Sequence, residues 1–209
     1  MKKFELFYPL KNYWRNQTFG EATQCLDSAG KVVPKIDGVC PIGTKDLYAS
    51  MGLLGHNGED LMAIDGQKVY CAQDGVVVEV QTEPERGLGI GIISNDHWDL
   101  GELGAHQIKM RYWHLKGFNC KMGDSVKVGQ VIGYADNTGY SSGTHLHFEI
   151  KPVEYNPDGS YINVFQSNGM FGAIDPQSYW NKVYSQDIWF FYKLIEILKI
   201  TINFFKLKK

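Results

Sequence analysis

Between residues 117 and 143 a glycine returns every four to six positions, at Gly117, Gly123, Gly129, Gly133, Gly139 and Gly143. The chain is thereby cut into short segments such as SVKVGQVIGYA, rich in residues that suit strands and bounded by residues that suit tight turns. The same texture extends upstream. KVYCA begins at Lys68, Asp74-Gly75 reads as a turn, VVVEV follows, and GLGIGII spans residues 87–93. A polar hairpin or loop over 94–106 leads into IKMRYWHL, a further strand ending at Leu115. Many short strands at this spacing favour a mainly β fold, an antiparallel sandwich or barrel, over parallel α/β units.

Composition agrees. Twenty-three glycines accompany 12 tyrosines, 11 phenylalanines and 5 tryptophans, and 44% of the 209 residues are hydrophobic, enough to bury a real core. The formal charge of -2 gives no reason to expect nucleic acid as a partner. Four cysteines, Cys25, Cys40, Cys71 and Cys120, contain no CxxC pair, which excludes a sequence-close thiolate zinc site. Cys25 and Cys40 can be read equally as a disulfide or as separate thiols.

The organisation expected is an irregular N-terminal segment over 1–45, a compact domain over 46–155, a turn-rich extension over 156–187 and an amphipathic helix over 188–209. The opening MKKFELFYPLKNYW has a basic start, but Glu5, Lys11, Asn12 and Arg15 interrupt any apolar run, so no cleavable signal is read there. Asp175-Pro176 can start a short helix. In the last segment Lys193, Glu196, Lys199, Asn203 and Lys206 fall on one narrow stripe of a helix. Its charges argue against a membrane span; a membrane surface, a partner, or the chain's own domain are the three surfaces it could meet.

Chemistry concentrates in GTHLHFEI, residues 143–150. Residues two apart on a strand share a face, so His145 and His147 project together while Leu146 and Phe148 turn into the core. GHNGED, residues 55–60, offers His56 and Asp60 four residues apart. His56, Asp60 and one histidine of the pair make a three-ligand set for zinc with a fourth position open, and the other histidine is placed to handle protons. YWHL adds His114 at a strand end, with Tyr112 expected on the same face and Trp113 and Leu115 opposite.

HxxxD, YxHL and HxH, in this order, resemble the M23 family of zinc metallopeptidases, the lysostaphin and LytM type of peptidoglycan endopeptidase. The resemblance covers about residues 50–152, including AQDGVVVEV and the glycine-rich run into the last motif. It implies an antiparallel β-sheet fold of the lysostaphin-LytM type with a cleft over the sheet. It also implies one Zn2+ ion held by His56, Asp60 and His147, with His145 and His114 as catalytic histidines and a peptidoglycan peptide as substrate.

On this reading His145 takes the proton of the attacking water and His114 donates a hydrogen bond to the oxyanion, though the two roles could be exchanged or shared. Tyr112, Tyr140, Ser142 and Thr144 are expected to line the substrate cleft. Glu149 shares the face of His147, but the resemblance makes it structural. His97 and His106 are expected in solvent, and Asn57 and Glu59 are expected to be loop residues. Two alternatives from other classes stand beside the enzyme: a silent LytM-like binding or activator module, and a wall-opening component of a phage or secretion assembly. The site of action expected is the bacterial cell wall, reached by phage-type or holin-like release or as part of a virion, with membrane association through 188–209 left open.

Overall fold

The computed structural model describes residues 2–11 and 14–181. Fourteen strands follow one another: β1 (Arg15–Gln17), β2 (Gln24–Leu26), β3 (Val32–Pro34), β4 (Lys45–Asp46), β5 (Glu59–Met62), β6 (Lys68–Tyr70), β7 (Gly75–Glu83), β8 (Gly87–Ser94), β9 (Trp98–Asp99), β10 (Ala105–Phe118), β11 (Ser125–Val126), β12 (Val131–Ala135), β13 (His145–Tyr155) and β14 (Tyr161–Asn163). One short helix, α1 (Leu47–Ser50), is capped by Asp46, whose carboxylate accepts the Ala49 N–H at 2.9 Å.

The large sheet runs β1-β5-β13-β10-β8-β7-β11, with β12, β14, β6 and β9 attached at its sides. Its long central pairs, β10 with β13, β10 with β8 and β7 with β8, are all antiparallel. The mainly β, antiparallel expectation holds.

The two faces of this sheet differ. Ile90, Ile92, Met110, Tyr112, Phe148 and Ile150 point into one apolar core, all at most 1% exposed. That face is closed by segments from both ends of the described chain. Phe4 packs on Trp98 and Tyr179, and Trp180 packs on Phe148 at 5.2 Å between ring centres. The opposite face carries Glu79, Lys109, Arg111, Trp113, Glu149, Lys151 and the two histidines of the HxH strand.

Residues 1–45 are more regular than their sequence suggests. β1 pairs with β5, and β3-β2-β4 form a small second sheet, to which α1 adds Leu47 and Tyr48 around Leu26 and Leu53. Cys25 and Cys40 are joined by a disulfide across this sheet, while Cys71 and Cys120 are free. Within the turn-rich extension β14 pairs with β13, and Pro176–Tyr179 form one 3-10 turn capped by Asp175. The amphipathic helix expected over 188–209 lies outside the described residues.

Candidate metal centre and cleft

The HxH strand and the loop before β5 are brought together by register. β13 pairs antiparallel with β5 so that His147 stands opposite Asp60. The preceding loop then crosses directly over β13. Gly58 makes that crossing possible, since a Cβ there would lie 2.5 Å from Phe148 O and 2.8 Å from His147 Nε2. The loop is also tied to the N-terminal segment: the His56 N–H donates to Glu21 O and the Gly20 N–H donates to His56 O, both at 2.8 Å.

Three donor atoms converge as a result. His56 Nε2 lies 3.1 Å from Asp60 Oδ1, His147 Nδ1 lies 3.0 Å from the same oxygen, and the two ring nitrogens are 2.8 Å apart. All three residues are buried, and they form the one His/Cys/Asp/Glu group suited to a metal among the described residues. His56 donates its Nδ1–H to Thr18 O at 3.2 Å, which leaves Nε2 with a lone pair turned toward the other two. A tetrahedral zinc shell with bonds of 2.0–2.1 Å separates its ligand atoms by roughly 3.3 Å. Two imidazole nitrogens and one carboxylate oxygen at 2.8–3.1 Å therefore fit such an ion with a few tenths of an ångström of opening.

Electrostatics follow the same geometry. Burial raises the Asp60 pKa, but the His56 and His145 imidazoles and the His147 hydrogen bond outweigh it and hold the carboxyl well below the usual range. Burial lowers His56, yet Asp60 beside it leaves the net shift upward. For His147 burial wins, and the net shift is downward.

His145 and His114 flank this cluster with ring centres 4.5 Å apart. His145 Nδ1–H donates to Gly143 O at 2.8 Å, with Ser141 Oγ at 3.0 Å, and its Nε2 lies 3.5 Å from Asp60 Oδ1. His114 Nδ1–H donates to Thr138 O at 2.6 Å. A carbonyl only accepts, so in neutral His114 the Nε2 bears a lone pair. Burial, with lesser contributions from His145 and His147, pushes the His114 pKa down to about 3, so it is neutral at ordinary pH. A neutral ring in this tautomer presents its Nε2 as a hydrogen-bond acceptor.

His114 reaches the cleft through a break in strand alternation. Its φ is +61°, and the β10 register shifts between Tyr112 and Leu115 against β8 and between Leu115 and Gly117 against β12. This bulge reverses the facing expected from YWHL. Tyr112, expected beside His114 on a substrate-binding face, instead lies in the apolar core, fully buried, with its hydroxyl accepting the Ala72 N–H at 2.8 Å. Leu115 joins Tyr112 in that core. Tyr140, Ser141 and Ser142 line the cleft, whereas Thr144 is half-buried outside the lining and its carbonyl accepts the Ala63 N–H.

Glu149 is engaged elsewhere. Its carboxylate accepts Arg111 Nη1 at 2.8 Å and Asn57 Nδ2 at 2.5 Å, with Lys151 Nζ at 3.5 Å. Burial raises its pKa, but Lys151 and Arg111 overcome that and hold it far below the usual range, so it has no proton to exchange. Asn57 is a loop residue, buried at 4% exposure, whereas Glu59 is the first residue of β5; it sits against Arg15 and accepts the Trp180 indole N–H at 3.0 Å. His97 is exposed, and His106 is bonded to Leu103 O.

Sequence reading missed Tyr48, Gln24 and Asn16, which bring the small sheet and β1 to the cleft, and Arg86 at the β7–β8 turn. A four-residue helix and three-residue strands carry no period that could have revealed the first three. Arg86 had a visible signal, as the one basic residue in EPERGLG.

A family model described as Peptidase family M23 matches residues 54–163. Glycyl-glycine endopeptidase ALE-1 of Staphylococcus capitis is 41% identical over 95 residues, 45% of this chain and 24% of that protein. Peptidoglycan DD-endopeptidase ShyB of Vibrio cholerae is 38% identical over 103 residues, 47% of this chain and 22% of that protein. The chain thus matches about a quarter or less of the length of these curated relatives. The catalytic domain of the antimicrobial peptidase lysostaphin from Staphylococcus simulans superposes with a TM-score of 0.52 at 27% identity, covering 80% of this chain and 91% of that domain.

Proposed function

The chain belongs to peptidase family M23, and on that basis we propose that it is a zinc-dependent endopeptidase that hydrolyses peptide bonds in peptidoglycan. The observation that carries this reading is the convergence of His56 Nε2, Asp60 Oδ1 and His147 Nδ1 beside two further histidines that turn Nε2 toward the same cleft. The substrate class is supported by the names of two relatives, one a glycyl-glycine endopeptidase and one a peptidoglycan DD-endopeptidase.

His56, Asp60 and His147 would hold the ion. Bound there, zinc supplies a water of lowered pKa and a Lewis acid for the scissile carbonyl. The protein's own groups do the rest. His145 is fixed at Nδ1 by Gly143 O, so its Nε2 takes a proton from the attacking water and returns it to the leaving amine. His114, neutral and fixed by Thr138 O, accepts a hydrogen bond at Nε2 and orients that water. Ser141 Oγ supports the far side of the His145 ring. Tyr140 and Ser142 face the cleft where the peptide lies.

The test is amine release from purified cell walls before chelation, after chelation, and after zinc is restored. The expected result is loss on chelation and recovery on restoration; release that survives complete metal removal contradicts the proposal.

A further inference from the structure

The sheet face that carries His147 continues into a row of ion pairs. Glu79 accepts Lys109 Nζ at 3.0 Å and Arg111 Nε at 2.8 Å, and Arg111 Nη1 donates to Glu149 at 2.8 Å with Lys151 behind it. At the edge of the row Glu83 is shared, 3.8 Å from Arg111 Nη2 and 3.4 Å from Arg86 Nη1. The row therefore sets four cations, Lys109, Arg111, Lys151 and Arg86, against three carboxylates, Glu79, Glu149 and Glu83. The row ends where the sheet face opens on the cleft, a place it shares with Glu85.

Arg86 occupies that end. Among the described residues lining the cleft it is the only lysine or arginine. Its guanidinium carbon lies 5.5 Å from the centre of the Trp113 ring, which holds the group in place from below. Among the described residues one of its five N–H donors is in use, and that bond is long, 3.4 Å to a carboxylate already shared with Arg111. The side chain is 21% exposed, so the remaining donors meet the solvent of the cleft. Glu85 also lines the cleft, but no ion pair joins it to Arg86 among the described residues. The residue is anchored relative to the reacting groups as well. Arg86 O accepts the His114 N–H at 3.2 Å, and Gly87 beside it, at φ +67°, lies so close to Thr138 that no side chain fits.

We propose that Arg86 is a substrate anchor that pairs with a free carboxylate of the peptide, placed close to the amide that is cut. The proposal rests on the hydrolase reading above and sharpens it. A guanidinium with open N–H donors matches a carboxylate through two parallel hydrogen bonds, which neutral partners cannot reproduce. A stem-peptide cross-link with a free carboxylate beside the scissile amide meets that requirement. The interior of a bridge made only of glycine offers no charge. Sequence similarity extends to relatives named for each kind of bond, and an anchor at Arg86 favours the one that offers a carboxylate.

The experiment uses two synthetic cross-linked stem peptides, identical except that the carboxylate beside the scissile amide is a carboxamide in one. Dissociation constants are measured by calorimetry on the full chain in a His145→Ala background, with and without Arg86→Gln or Arg86→Lys. Cleavage of both peptides is followed with wild type and the Arg86 variants. The carboxylate peptide is expected to bind about tenfold or more tightly than its twin. In Arg86→Gln that ratio falls to near one, and in Arg86→Lys part of it remains. The cleavage preference of wild type is expected to follow through KM more than kcat. Thermal midpoints check that each variant folds, and the Lys form serves if the Gln form does not. A ratio near one in wild type, or a ratio unchanged by Arg86→Gln, overturns the anchor. If the Arg86-dependent ratio is found but neither peptide is cut, the hydrolase reading falls and the carboxylate site stands. If both peptides are cut at equal rates, the hydrolase stands and the anchor falls.

Discussion

His114 sits in left-handed backbone at φ +61°, a conformation that costs a non-glycine residue about 1–2 kcal/mol. Three contacts hold it there: its N–H to Arg86 O, its carbonyl to the Asp136 N–H, and its ring to Thr138 O. The result is a buried ring whose folded pKa, about 3, lies below its ordinary value of 6.5, so its proton is taken up only as pH falls toward 3. Across about pH 5 to 8 it stays neutral, with Nδ1–H donated to Thr138 O and Nε2 left as an acceptor. His114→Ala should keep its zinc, lose about a hundredfold or more in kcat, and leave the shape of the kcat/KM profile unchanged over that window. An acid limb present in wild type and missing from the variant would show that His114 titrates there after all. At this scale His56, Asp60 and the His145–His147 pair were legible because spacing and face alternation are local properties, while the choice of His147 as ligand came from the family resemblance. The facing of Tyr112 was not, because YWHL contains no sign of the bulge that interrupts alternation; the bulge is set by partners at positions 86, 136 and 138.

The small sheet β3-β2-β4 with α1 forms one wall of the cleft, presenting Gln24 and Tyr48. The Tyr48 hydroxyl lies 2.8 Å from Gln17 Oε1 and 3.0 Å from Gln24 Oε1, and its ring centre is 5.9 Å from that of His56. So few paired residues make a weak unit, and the Cys25–Cys40 disulfide closes a 15-residue separation across it. Closing a loop of that length is worth about 3 kcal/mol in chain entropy. Cys25→Ser should therefore lower the thermal midpoint and raise KM more than it lowers kcat, with zinc content unchanged. Wild type treated with reductant should reproduce both effects; a variant with unaltered midpoint and KM would remove the wall from the account. The short strands of this wall escaped sequence reading because segments of two or three residues are too brief for any period. The large sheet was legible because its strands are longer and its glycines and turn pairs mark their ends.

Across the whole molecule, the sheet separates two environments. Residues near both ends of the described chain, Phe4 and Leu6 on one side and Trp180 on the other, seal the apolar face, while the polar face leads from buried ion pairs to the cleft. Neither closure was legible, because each joins residues far apart in the chain, as Phe4 packs on Tyr179 and as Glu59 and Trp180 are joined by a hydrogen bond over 121 positions. This division gives the two histidines of one strand different surroundings: His147 meets His56 and Asp60, while His145 is held by Gly143 and faces the cleft. The central claim is that these two neighbours do separate work. Its most direct test is zinc content measured together with peptide release from purified cell walls for wild type, His147→Ala and His145→Ala. The account predicts about one zinc per chain in wild type, loss of both metal and activity in His147→Ala, and retained metal with lost activity in His145→Ala. Loss of zinc from His145→Ala, or full wall cleavage by His147→Ala, would contradict it.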